Sequence, residues 1–203
     1  MIENKVNSVL IIGMGLIGSS IARALNEKCI ANNVYGLDSN SKVIKKCDEL
    51  NILLRAETNI KNFKEQFDII IICTPLSTYK SIFADLNNYI SKPTLITDVG
   101  STKVSVINDF KKKVTNKNLK FIPAHPIAGL EKSGPEHGLG NLFENRYCIL
   151  TPIDNDDMVL KSIAMFWESL GMKIEKMKPE KHDRVLAMTS HIPQLIAYSV
   201  VAT

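Results

Sequence analysis

Gly13, Gly15 and Gly18 interrupt the chain directly after the apolar run of residues 6–12 and open a helical pattern in Leu16, Ile17, Ser20, Ile21, Ala24 and Leu25. An aliphatic run that glycine stops predicts a central parallel strand. In a strand-turn-helix context the three glycines have separate tasks. Gly13 permits the tight turn, Gly15 lets the backbone approach a pyrophosphate, and Gly18 lets the helix pack close to the sheet. Met14, Leu16 and Ile17 complete the turn, the first helical N–H groups face the phosphates, and Ser19 is a further candidate donor.

A second strand, residues 33–37, ends at Asp38, which stands 20 residues past Gly18. A carboxylate there accepts hydrogen bonds from ribose hydroxyls and repels a 2′-phosphate, so NAD is expected over NADP. No Arg stands in the loop that follows, although Lys42 offers NADP a weaker phosphate contact. The competing role for Asp38 is a cap on the helix that begins near Ser41.

Further strands are expected at 68–73, 94–99, 119–123, 147–150 and 172–175. Helices are expected at 41–50, 77–90, 102–112 and 156–170, and a glycine-rich loop at 124–140. The four consecutive isoleucines of 69–72 suit a strand covered on both faces. This alternation predicts an α/β fold, a Rossmann-type doubly wound and mainly parallel sheet. Thr74-Pro75-Leu76 and Gly100-Ser101 follow strands on the edge that carries the glycine turn, so the first is expected against the nicotinamide half of the cofactor and the second against cofactor or substrate, the alternative for each being a plain turn.

The pattern changes at Lys178. Residues 1–178 read as a dinucleotide-binding domain, and 179–203 as the first helix of an incomplete all-helical domain. Pro179 suits a first helical turn, and the apolar spacing of Leu186, Ile192, Leu195, Ile196 and Val200 runs on with no stop signal.

Composition removes several classes of function. The 203 residues, 45% hydrophobic, suffice for a core, and the formal charge of +4 is spread along the chain apart from Lys111, Lys112 and Lys113. With no aromatic or second basic cluster near that run, it reads as a wet helix end, not a nucleic-acid site. No signal-peptide pattern and no apolar window of roughly 20 residues is present, so neither secretion nor membrane insertion is expected. Cys29, Cys47, Cys73 and Cys148 lack disulfide or metal spacing and read as reduced thiols of a cytoplasmic protein.

Of the four histidines, His125 follows a predicted strand at the ligand edge, where an imidazole can take the proton of an alcohol as hydride leaves the same carbon. A structural histidine that fixes its loop is the alternative. His137 reads as an exposed loop residue. His182-Asp183 and Ser190-His191 lack zinc-ligand spacing, so no metal is expected, and for His182 an interdomain hydrogen bond and a catalytic part both stay open.

The ordered set Gly13 to Ser20, Asp98-Val99-Gly100-Ser101-Thr102-Lys103, His125-Pro126-Ile127-Ala128-Gly129 with Glu131-Lys132-Ser133-Gly134, Asn141-Leu142-Phe143, Leu150-Thr151-Pro152, His182-Asp183 and Ser190-His191-Ile192-Pro193 resembles the prephenate/arogenate dehydrogenase family of tyrosine biosynthesis. The resemblance implies NAD-dependent oxidative decarboxylation of prephenate or arogenate in a homodimer. It also implies that His125 is the catalytic histidine, with Ser101 hydrogen-bonded near it, and that Ser190, His191 and Gln194 lie on the substrate side. Gln194 departs from the second histidine of many members, and a neutral amide supplies no imidazolium charge. The family's carboxylate-binding arginine has no counterpart before Thr203, so little turnover is expected from these residues alone. Two rival functions are an NAD-dependent hydroxyacid or imine-acting dehydrogenase and a catalytically silent NAD-binding interaction protein.

Overall fold

A computed structural model describes residues 5–154 and 156–191, with the side chains of Ser190 and His191 outside that description. Nine strands and six α-helices occur among the described residues: β1 Val6–Ile12, α1 Leu16–Glu27, β2 Ala31–Leu37, α2 Ser41–Glu49, β3 Arg55–Glu57, β4 Ile69–Ile72, α3 Tyr79–Tyr89, β5 Thr94–Asp98, α4 Val104–Lys113, β6 Leu119–Phe121, β7 Ala124–Pro126, β8 Tyr147–Leu150, α5 Asp157–Ser169, β9 Lys173–Lys176 and α6 Pro179–Leu186. Past α6 the backbone widens into a π-type turn, Ala187–His191. None of these helices is long and apolar enough to cross a membrane.

The first six strands form one parallel sheet in the order β3-β2-β1-β4-β5-β6. Strand side chains alternate between the faces, so a central strand with apolar residues at every position must be covered twice. On one side Val9, Ile11, Ile69 and Ile71 pack with Ile21 and Leu25 of α1 and with Ile163 and Trp167 of α5. On the other, Leu10, Ile12, Ile70 and Ile72 pack with Tyr79 and Phe83 of α3 and Val106 of α4. The strand order reverses between β1 and β4, and the carboxyl ends of those two strands frame the crevice where such sheets bind ligands.

Two expectations are corrected. The segment at 124–140 does not begin as a loop: Ala124–Pro126 is a strand, antiparallel to β8, with His125 opposite Ile149. The strands expected at 147–150 and 172–175 do not extend the large sheet but join β7 in a separate three-stranded sheet, β7-β8-β9. A three-residue strand ending in Pro126 carries too little alternation to stand out from a turn. Strand β3 escaped the sequence reading for the same reason of length.

Candidate active site

At the end of β1 the glycine turn is over-determined by packing. Gly13 has φ of 95°, and a Cβ there would press on the Cys73 carbonyl carbon and the Thr74 methyl at 2.8 Å. A Cβ on Gly18 would collide with the Gly13 carbonyl oxygen. Gly15 differs from both: its φ is −73°, which any residue adopts, and a Cβ there meets nothing within 4 Å. The space over Gly15 is thus open on the protein side, which is the cradle a pyrophosphate needs.

Ser19 makes the first intrahelical bond of α1, from its N–H to the Gly15 carbonyl, so the N–H groups of Leu16, Ile17 and Gly18 precede the helical ladder. The Ser19 hydroxyl is not a phosphate donor as expected. It is buried, donates to the Leu16 carbonyl and lies beneath Gly138. The loop after β7 is fastened to the same helix, with the Leu139 N–H donating to Ser20 Oγ at 3.0 Å.

Asp38 accepts the Met14 N–H on one carboxylate oxygen and the Asn40 N–H on the other, each at 2.9 Å. It therefore braces the glycine turn against the end of β2. The cap of α2 belongs instead to Asn40, whose side chain accepts the Lys42 N–H. One N–H on each oxygen leaves the half-exposed carboxylate able to accept further hydrogen bonds.

On the neighbouring strands, Asp98 at the end of β5 is fully buried and saturated. Its Oδ2 accepts from Tyr79 Oη, the Gly100 N–H and Lys103 Nζ, and its Oδ1 accepts the Ala124 N–H. Lys103, equally buried, donates to both Asp98 Oδ2 and the Ala124 carbonyl at 2.7 Å. Burial lowers the proton affinity of this ammonium, and the Asp98 carboxylate opposes that shift. The ion pair thus grips both polar groups of the residue just before His125. Neither residue stands out in the sequence, because a Lys five positions past a strand-end Asp gives no sign that it is buried.

His125 Nδ1 lies 2.9 Å from His182 Nε2, and His182 Nδ1 lies 2.7 Å from Asp183 Oδ1. His182 is fully buried. Burial lowers its proton affinity, against the raising effect of its bond to Asp183. The Asp183 carboxylate also takes the Lys103 and Val104 N–H groups at 2.8 and 3.0 Å, and so caps α4 from a distant part of the chain. Burial raises the Asp183 carboxyl, but bonds from His182 and these two N–H groups outweigh it and hold the group below the usual carboxylate value.

Ser101 is exposed, two residues before Lys103. The Gly100 N–H is committed to Asp98, and a Cβ at Gly100 would press on Leu76 Cδ2 at 2.7 Å. Thr74 Oγ1 accepts from Thr78 Oγ1 at 2.7 Å, Pro75 is exposed, and Leu76 opens the short turn Leu76–Thr78 before α3. His137 sits half-exposed in the turn Pro135–His137. The substrate-side group is only partly covered: Gln194 falls outside the described residues, as do the side chains of Ser190 and His191. Among the described residues, no group of three or more His, Cys, Asp or Glu converges as a metal-ligand set. A cleft of about 920 Å³, lined by Val6, Lys28, Ile69, Leu95 and Phe166, opens at the opposite, amino-terminal edge of the sheet, away from this chemistry.

The sequence profile described as "Prephenate dehydrogenase, nucleotide-binding domain" matches residues 21–176, and "Prephenate dehydrogenase, dimerization domain" matches 178–203. The chain is 36% identical to the cyclohexadienyl dehydrogenase of Zymomonas mobilis over 95% of its length and 66% of that protein's. It is 33% identical to the prephenate dehydrogenase of Bacillus subtilis over 96% of its length and 53% of that protein's. A crystal structure of prephenate dehydrogenase from A. aeolicus, in complex with hydroxyphenyl propionate and NAD+, superposes with a TM-score of 0.90 at 33% identity, covering 98% of this chain and 70% of that one. The chain therefore spans between half and two thirds of the length of these two curated relatives.

Proposed function

This chain belongs to the prephenate dehydrogenase family, and from that premise we propose that it serves the NAD-dependent oxidative decarboxylation of prephenate to 4-hydroxyphenylpyruvate, with arogenate as an alternative substrate. The observation that carries the reading is the placement of His125, anchored by Asp98, Lys103 and His182 beside the sheet edge that carries the open turn at Gly15. Bound NAD supplies the hydride acceptor. Gly13 and Met14, whose N–H groups are bonded to Leu37 and Asp38, set the turn; the N–H groups of Leu16, Ile17 and Gly18 would hold the pyrophosphate over Gly15, Asp38 would take the ribose hydroxyls, and Thr74, Pro75, Leu76 and Gly100 would line the crevice.

His125 accepts the hydroxyl proton of the cyclohexadienol as the C–H bond on the same carbon breaks and its electron pair leaves as hydride. The ring carboxylate then departs as carbon dioxide, its bonding pair enters the ring, and the ring oxygen regains a proton as the phenol forms. Aromatisation supplies the driving force, so the residues mainly orient the substrate and accept one proton. Ser101 is assigned to hydrogen-bond beside that hydroxyl, and Ser190, His191 and Gln194 keep the substrate-side role that the family resemblance implies. The reading divides the chain at Lys178 and assigns the helical part to a homodimer in the cytoplasm.

The test is NADH formation from prephenate and from arogenate in a protein with a complete helical domain, for the wild type and His125→Asn. Turnover is expected with at least one substrate, and about 100-fold or more is lost in the variant while NAD affinity is kept. NAD binding without turnover of either substrate overturns the assignment.

A further inference from the structure

The geometry points to His182 and Asp183 as positioning residues that fix which nitrogen of His125 carries its proton. The inference rests on His125 being the base of the proposed reaction, and it adds how that base is kept in a competent form.

The chain of donors and acceptors has one consistent assignment. Asp183 already accepts two backbone N–H groups at the start of α4. As an ionised carboxylate it has nothing to donate, so its 2.7 Å contact with His182 Nδ1 requires a proton on that nitrogen. A neutral imidazole has one N–H, which leaves His182 Nε2 as an acceptor. The 2.9 Å contact between His182 Nε2 and His125 Nδ1 then requires the proton of His125 to sit on Nδ1. Neutral His125 consequently carries its lone pair on Nε2, the nitrogen that takes the substrate proton. Afterwards the imidazolium still donates through Nδ1, with the Asp183 charge one ring behind it. The logic is that of the carboxylate in a catalytic triad, with an imidazole inserted between carboxylate and base.

An amide at position 183 breaks the assignment. Asn has one acceptor oxygen where Asp183 Oδ1 serves His182 and Lys103 and Oδ2 serves Val104. Either orientation leaves an NH2 group against an N–H donor, or makes the amide donate to His182 Nδ1. The second case reverses both rings and puts the His125 proton on Nε2, where it blocks proton uptake.

The test uses ¹⁵N-histidine-labelled full chain and long-range ¹H–¹⁵N correlation spectra, which report the protonated nitrogen of each ring whether or not the protein turns over. His125 is expected as the Nδ1–H form in the wild type, with loss of that preference in Asp183→Asn and His182→Phe. In a protein with a complete helical domain, both variants are expected to lower kcat about 100-fold or more, leaving KM and NAD affinity within about threefold. An Nε2–H tautomer of His125 in the wild type overturns the proposal, even if His182→Phe fails to fold. So does an Asp183→Asn variant with kcat within about threefold of wild type. Absence of turnover in the wild type overturns the proposed reaction instead, and the tautomer measurement still decides the arrangement of the three residues.

Discussion

Lys103 Nζ lies 2.7 Å from Asp98 Oδ2, and both side chains are wholly removed from solvent. Their shared partner is Ala124, whose N–H and carbonyl are taken by Asp98 and Lys103 respectively. The pair thereby couples the last residue of β5, the start of α4 and the strand that carries His125. An ion pair of this kind gains little over apolar packing, but it is costly to break on one side.

Replacing Lys103 by Met is accordingly expected to lower unfolding free energy by about 3–5 kcal/mol, because Asp98 is left buried with its charge unopposed. Urea unfolding of the wild type and variant measures this. A loss under about 1 kcal/mol would show that Asp98 needs only its three neutral donors.

Gly15→Ala and Gly18→Ala are expected to separate cofactor binding from folding. The Gly15 Cβ position is open and its φ is ordinary, so Ala there is expected to leave Tm nearly unchanged and weaken NAD about 10-fold or more by crowding the pyrophosphate. At Gly18 the new methyl meets the Gly13 carbonyl, and both Tm and affinity are expected to fall. Calorimetric NAD titration beside thermal unfolding distinguishes the two. Unchanged NAD affinity in Gly15→Ala refutes the placement of the pyrophosphate.

NAD is expected to bind more tightly than NADP, because the Asp38 carboxylate, proposed to take the ribose hydroxyls, has acceptor capacity to spare. Asp38→Asn is expected to narrow that preference and to weaken NAD as well, since the Met14 N–H loses a charged acceptor. Parallel titrations of both cofactors check this, and equal affinities in the wild type count against the role.

Acid is expected to destabilise the protein partly through His182. Burial, the largest influence, lowers its proton affinity in the folded state below the ordinary value of 6.5. Below about pH 6.5 the unfolded chain therefore binds more protons than the folded one. Stability is fully present above that pH and declines as pH falls toward the folded value. Asp183, held below 3.8, adds a separate loss at lower pH. Urea midpoints between pH 5 and 8 are expected to fall less steeply in His182→Phe than in the wild type, and identical slopes would exclude the histidine as a source.

The large sheet was legible in the sequence because its signals are local: glycine stops, β-branched runs and Asp38 at a fixed distance from the turn. The candidate site was legible only where a residue stands shortly past a strand of the large sheet, as Gly15 does past β1 and His125 past β6. The partnership of His125 with His182, and that of Lys103 with Asp98, depends on how β7 and α6 dock. Periodicity carries no information about such packing. Ser19 was misread for a related reason: its position in the turn suggested a phosphate donor, while the loop at Gly138 claims that side of α1.

The hydrogen-bonded chain joins His125 to His182 across 57 residues and Lys103 to Asp183 across 80. Contacts so distant in sequence form late, since a long loop must close before they gain anything. On a ribosome, every strand of the six-stranded sheet is available for pairing once Phe121 has emerged. The imidazole of His125 must wait for α6 before its ring is set. A nascent chain thus holds the strands that frame the crevice before the helix that sets the His125 ring has emerged.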